Sequence, residues 1–147
     1  MPDYVVSKTA QILNLYAKSI KNSKVLLLGM AYKPNVDDLR ESPGLRMFEL
    51  FKASGALVDY YDPYVGSFKD KRGDVVKSIP YDLQSMSKYD CMVTVTHHQL
   101  LPYKELADLG VPIFDTRNAF KTYDLPHIYK LGTPLTALEE IHLELAY

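Results

Sequence analysis

Lys24-Val25-Leu26-Leu27-Leu28-Gly29 is a short apolar run that opens on a charge and closes on a glycine. Continuous apolarity without alternation marks a strand covered on both faces by other elements. Downstream, Ser42 suits a helix N-cap, Pro43 the first helical position and Gly55 the C-terminal stop, with Leu45, Phe48 and Phe51 on one face. Leu57-Val58-Asp59-Tyr60-Tyr61 is rich in β-formers and ends firmly at Asp62-Pro63. Strand, helix, strand in that order is a βαβ unit, and such units build a parallel sheet with helices on both faces.

The rest of the chain extends this frame. Residues 81–87 predict a short helix, 90–96 a third strand, 103–109 a helix, 111–115 a fourth strand, 128–131 a fifth and 136–146 a last helix. The charge-rich stretch 66–78 reads as a solvated surface loop rather than a binding patch. Upstream, Val6, Ala10, Leu13, Ala17 and Ile20 fall at helical spacing, flanked by Val5, Ile12 and Tyr16, which predicts one long helix over 3–21 with a wide apolar face. The fold class is therefore α/β: a Rossmann-like, doubly wound parallel sheet of about five or six strands, preceded by one long connector helix. The expected division is 1–22 for the helix and 23–147 for the sheet domain.

Composition narrows the function. The chain has 147 residues, the size of one domain. Seventeen Lys plus Arg against 18 Asp plus Glu leave a net charge of −1, with no basic excess for a nucleic-acid backbone or an anionic membrane. No apolar run approaches the roughly 20 residues that span a bilayer. The first residues carry no basic region followed by an apolar core, and one cysteine, Cys91, excludes an internal disulfide. A cytoplasmic setting is expected.

Ligands of an open parallel sheet bind beyond the carboxyl ends of its strands. Those ends here are Gly29-Met30-Ala31-Tyr32-Lys33-Pro34, Asp62-Pro63-Tyr64, Thr96-His97-His98 and Asp115-Thr116-Arg117-Asn118. Gly29 stands where a dinucleotide fingerprint would begin, but no second or third glycine follows to let a pyrophosphate approach the backbone. Lys33 and Arg117 are suited instead to hold a diphosphate by side-chain charge, or to pair with Asp37, Asp38 or Asp115. Tyr32 is placed to stack on a ligand or hydrogen-bond it. Asp37-Asp38 fits loop stabilisation through Arg40 or a backbone amide better than acid–base or Mg²⁺ chemistry, because adjacent side chains diverge. His97-His98 lacks the accompanying ligand cluster of a zinc site, and no metal is expected. Cys91 opens an apolar strand with no basic neighbour, a packing position rather than a nucleophile.

Gly29-Met30-Ala31-Tyr32-Lys33-Pro34-Asn35-Val36-Asp37-Asp38-Leu39-Arg40-Glu41-Ser42-Pro43 resembles the opening motif of the C-terminal, UDP-binding domain of the UDP-glucose/GDP-mannose dehydrogenase family. Tyr61-Asp62-Pro63-Tyr64 is similar to that family's second strand terminus, Phe114-Asp115-Thr116-Arg117-Asn118 to its late Asp-x-Arg motif, and Met1-Pro2-Asp3-Tyr4-Val5-Val6 to the start of its central helix. The branch acting on UDP-N-acetylhexosamines looks nearest. The resemblance implies four-electron oxidation of a nucleotide sugar's C6 alcohol to a carboxylate, by two NAD⁺ and a cysteine thiohemiacetal. It implies Tyr32, Lys33 and Arg117 as substrate-binding residues and Arg40 as a contact to NAD held by another domain. No catalytic residue is expected in this chain, since Cys91 does not match the family's nucleophile. The expected partners are a UDP-sugar, the NAD-binding and catalytic domain of a parent enzyme, and a second copy joined through the central helix. A non-catalytic binding or dimerisation module of the same fold is the alternative.

Overall fold

The computed structural model describes residues 2–31 and 42–131. In chain order these form α1 (Pro2–Leu15), β1 (Lys24–Leu28), α2 (Pro43–Ala53), β2 (Leu57–Tyr61), β3 (Ser67–Lys69), β4 (Val75–Lys77), α3 (Leu83–Met86), β5 (Cys91–Thr94), α4 (Tyr103–Asp108), β6 (Ile113–Asp115) and β7 (Ile128–Lys130). Five strands make one parallel sheet in the order β2-β1-β5-β6-β7. The expected helix over 136–146 lies outside the described residues.

Alternation along the strands splits the interior in two. Val25 and Leu27 of β1, Cys91 and Val93 of β5 and Phe114 of β6 face the side covered by α1 and α2, where Ile12, Leu13, Met47, Phe48 and Phe51 are buried. Leu26 and Leu28, Met92 and Ile113 face the side covered by α3 and α4, with Met86, Leu106 and Phe120. Burial on both faces explains why β1 carries no polar residue after Lys24.

Local chemistry sets the element ends. Ser42 caps α2, its Oγ accepting from Gly44 N at 3.1 Å, with Pro43 in the first turn. At the other end Ala56 N donates to Phe51 O and Gly55 N to Lys52 O, while Gly55 takes φ 88°, a Schellman closure. The same closure ends α1 early. Lys18 N donates to Leu13 O, Ala17 N to Asn14 O, and Ala17 adopts φ 60°. The helix expected over 3–21 thus stops at Leu15. An alanine in the left-handed position costs about 1–2 kcal/mol; just before it, the Tyr16 hydroxyl lies 2.6 Å from that of Tyr129.

A second expectation fails at 66–78. The stretch is a hairpin, β3 against β4, with Phe68 opposite Val76. Phe68 is buried edge-on to Phe48 at 5.2 Å and lies 5.2 Å from Tyr60. Asp70 closes the turn by accepting from Arg72 N and Asp74 N, both at 2.9 Å. The charges sit on the outside of a hairpin whose apolar residue plugs the core.

Candidate functional site

β1 is flanked by β2 on one side and β5 on the other, so the crossovers diverge there and open a crevice at the carboxyl ends. Four strand exits meet along this edge. Asp62, one residue past β2, has both carboxylate oxygens committed. Its Oδ2 accepts from Met30 N at 2.7 Å, Ala31 N at 3.1 Å and lies 2.9 Å from His98 Nε2; its Oδ1 accepts from Tyr64 N at 2.7 Å and Val65 N at 3.2 Å. The side chains of Asp62 and His98 are both fully buried. Burial alone pushes this carboxyl upward, but the bond to His98 and those from the Tyr64, Met30 and Ala31 amides outweigh it and hold it below the ordinary aspartate value.

The exit of β1 is gripped from the other side too. Ser42 Oγ donates to Met30 O at 2.5 Å, and Thr96 Oγ1 to Ala31 O at 2.6 Å. Gly29 has φ 94°, and a Cβ placed on it would lie 2.8 Å from Thr96 Cβ. Its missing side chain therefore makes room for Thr96 rather than for a ligand. Met30 and Ala31 are buried. With these contacts the described part of the turn is closed protein structure, and it forms no dinucleotide cradle.

At the end of β6, Asp115 is a second hub. Its Oδ1 accepts from Arg117 N, Ala119 N and the Thr94 hydroxyl, and its Oδ2 from Phe120 N at 2.8 Å. Arg117 is exposed and anchored by Nε to Val95 O at 2.9 Å. Asp115 thus engages its backbone amide, and among the described residues no carboxylate pairs with its guanidinium. A cavity of about 490 Å³ opens here, lined by Pro2, Ser42, Pro43, Arg46, Thr116 and Arg117. The volume suits a small-molecule ligand. Arg46 from the first turn of α2 and Arg117 from beyond β6 bring two positive charges to this cavity.

A model of the UDP-glucose/GDP-mannose dehydrogenase family, UDP binding domain, matches residues 26–122. The chain belongs to this family. The UDP-N-acetyl-D-mannosamine dehydrogenase of Methanococcus maripaludis is 29% identical over 126 residues, covering 80% of this chain and 27% of that protein. The Pyrococcus horikoshii enzyme of the same name is 30% identical over 119 residues, covering 76% and 26%. Among solved structures, the UDP-N-acetyl-mannosamine dehydrogenase of Staphylococcus aureus matches with TM-score 0.66 at 28% identity, over 90% of this chain and 31% of that one. An NDP-N-acetyl-D-galactosaminuronic acid dehydrogenase from Methanosarcina mazei Go1 shares the fold, with TM-score 0.73 at 21% identity over 95% and 30%. The chain therefore spans about a quarter of the length of the curated relatives it matches.

Of the residues singled out in this UDP-binding domain, Arg117 lines the cavity. Tyr32, Lys33, Asp37, Asp38 and Arg40 lie outside the described residues. His97 and His98 part company: His97 is exposed beside the Tyr103 ring, while His98 is buried on Asp62. Cys91 is fully buried, and burial pushes its thiol up to about 12, as suits a packing residue. Missed from the sequence were Arg46, whose place one turn into a capped helix was the available signal, and the hub role of Asp62.

Proposed function

We propose that this chain is the substrate half of an NAD-dependent nucleotide-sugar 6-dehydrogenase, and that it binds the UDP part of a UDP-hexose or UDP-N-acetylhexosamine. In this reading Arg117 bonds the diphosphate, Lys33 adds a second positive charge, and Tyr32 packs on the sugar or its phosphates. Arg40 contacts NAD held mainly by another domain of the parent enzyme. The reaction served is R–CH₂OH + 2 NAD⁺ + H₂O → R–COO⁻ + 2 NADH + 3 H⁺, which supplies uronates for polysaccharide precursors. No residue of this chain takes the catalytic role; Cys91, buried with its thiol pushed up to about 12, is not a nucleophile. Residues 1–22 form the connector and the seam of a cytoplasmic homodimer, and 23–147 the binding domain.

The observation that carries this reading is Arg117 itself. It is exposed, held at Nε by Val95 O, and shares its cavity with Arg46 and the first turn of α2. Anchoring one edge of a guanidinium leaves its fork to meet a planar or tetrahedral oxyanion without a large loss of rotamer freedom. The closure of residues 29–31 gives the complementary support, since the chain there offers no glycine-rich backbone for a pyrophosphate to lie on. Calorimetric titration with UDP, UDP-N-acetylglucosamine, UDP-glucose and NAD⁺ tests it. Binding of the UDP compounds but not NAD⁺ is the expected result. Binding of NAD⁺ with no response to UDP would overturn it.

A further inference from the structure

Residues 95–98 run past the end of β5 and touch every other strand exit of the crevice. Val95 O holds Arg117 Nε at 2.9 Å, Thr96 Oγ1 holds Ala31 O at 2.6 Å, and His98 Nε2 meets Asp62 Oδ2 at 2.9 Å. Asp62 in turn holds the Met30 and Ala31 amides, and Val95 N is bonded to Leu28 O at 2.8 Å. The strip thus joins β1, β2 and the arginine beyond β6 in one hydrogen-bonded unit. Apart from Arg117, each participating side chain is buried: Thr96 is 3% exposed, Asp62 3% and His98 0%.

We infer that Thr96 and the Asp62–His98 pair are positioning residues for Arg117: they fix the carbonyl from which the guanidinium is hung and so set its aim on the diphosphate. This deepens, and rests on, the UDP-binding reading above. The physical reason is preorganisation. An exposed arginine loses much of its rotamer freedom when it is immobilised. An anchor built before the ligand arrives removes part of that loss from the binding step. Val95 can serve as the anchor only while its own backbone is still, and the bonds that still it are its own N–H to Leu28 O and, just beyond it in the chain, those of Thr96 and His98. Neither reaches the cavity, since its lining includes Arg117 and Thr116 but not Thr96, His98 or Asp62.

Four variants of the 147-residue chain test this. Thr96→Val removes the hydroxyl that donates to Ala31 O while keeping shape, and Thr96→Ser restores it. Asp62→Asn places an amide donor against backbone N–H groups. Tyr89→Phe, which removes a 2.7 Å bond to Asp59 away from the crevice, is a control for lost stability without a local change. The readouts are UDP affinity by calorimetry and solvent exchange of the Arg117 Nε proton by NMR. Thr96→Val is expected to weaken UDP about tenfold and speed the exchange about tenfold, with Thr96→Ser within twofold of the unaltered chain and Tyr89→Phe unchanged in both. Asp62→Asn, if folded, follows Thr96→Val; if it does not fold, the Thr96 pair decides alone. An unchanged Thr96→Val, or a Thr96→Ser that restores neither readout, overturns the positioning role while UDP binding stands. No UDP binding by the unaltered chain overturns the ligand reading itself, a result separate from any change in the exchange of the Nε proton.

Discussion

Replacing Gly29 by alanine tests whether this glycine serves the protein's own packing rather than a phosphate. Its φ of 94° is strained for any residue with a Cβ, and the left-handed region costs an L-residue about 1–2 kcal/mol. The added methyl group would lie 2.8 Å from Thr96 Cβ, 2.9 Å from Thr96 N and 3.0 Å from Thr96 Oγ1. Neither partner yields easily. Gly29 N is bonded to Tyr61 O at 2.8 Å, and Thr96 Oγ1 is committed to Ala31 O. Overpacking of a rigid interior costs about 1–3 kcal/mol, so the total is about 2–5 kcal/mol. Gly73 supplies the reference. Its φ is 88°, yet nothing lies within 4 Å of a Cβ built there. Gly73→Ala should therefore show the backbone cost alone. Urea and thermal unfolding followed by circular dichroism measure both; at 2–4 °C per kcal/mol for a chain of this size, a Gly29→Ala cost near 3 kcal/mol lowers Tm by about 10 °C. A Gly29→Ala variant no less stable than Gly73→Ala would refute the packing argument.

Arg117→Ala should leave the urea midpoint nearly unchanged and weaken UDP roughly 10- to 100-fold, the value of charge-assisted hydrogen bonds of about 1.5–3 kcal/mol; unchanged affinity in calorimetry removes Arg117 from the site. Asp62 is held below the ordinary aspartate value in the folded chain, so its contribution to stability is present above the unfolded value near 3.9 and is lost as pH falls through its lower folded value. Urea titrations from pH 5 downward should show falling stability, with a shallower fall in Asp62→Asn; equal slopes would contradict this. Cys91, buried with its thiol pushed up to about 12, should resist a thiol-specific disulfide reagent at pH 8 and react fully in denaturant; reaction of the native chain at the rate of a free thiol would show that the strand opens readily.

The elements that were legible in the sequence are those whose signals are local. β2 matches its run to the residue, β1 matches all of its run but the closing Gly29, and α2 begins where Ser42 and Pro43 call for it. The end of α1 was hidden because its left-handed residue is Ala17, which carries none of the signal that glycine provides. The hairpin of β3 and β4 was hidden because charges surround the one buried ring, Phe68, and its partners Phe48 and Tyr60 lie on other elements. The crevice was legible as a place, since residues after parallel strands gather at one edge. Its wiring was not: Asp62 read as a strand stop beside Pro63, and the histidine that meets it lies 36 positions away.

Asp62 and Asp115 show how the same device serves two ends of the crevice. Each follows or ends a parallel strand, each is buried, and each spends its oxygens on backbone amides of the segments that leave the sheet. A Rossmann turn normally fixes its first exit with glycines so that the backbone can approach a phosphate. Here carboxylates fix the exits instead, and in the UDP-binding reading proposed above recognition falls to side chains such as Arg117. Four backbone amides and His98 converge on Asp62, and they stabilise its buried charge. The glycine-poor exit of β1 and the arginine-lined cavity thus both sit at strand ends that buried carboxylates hold.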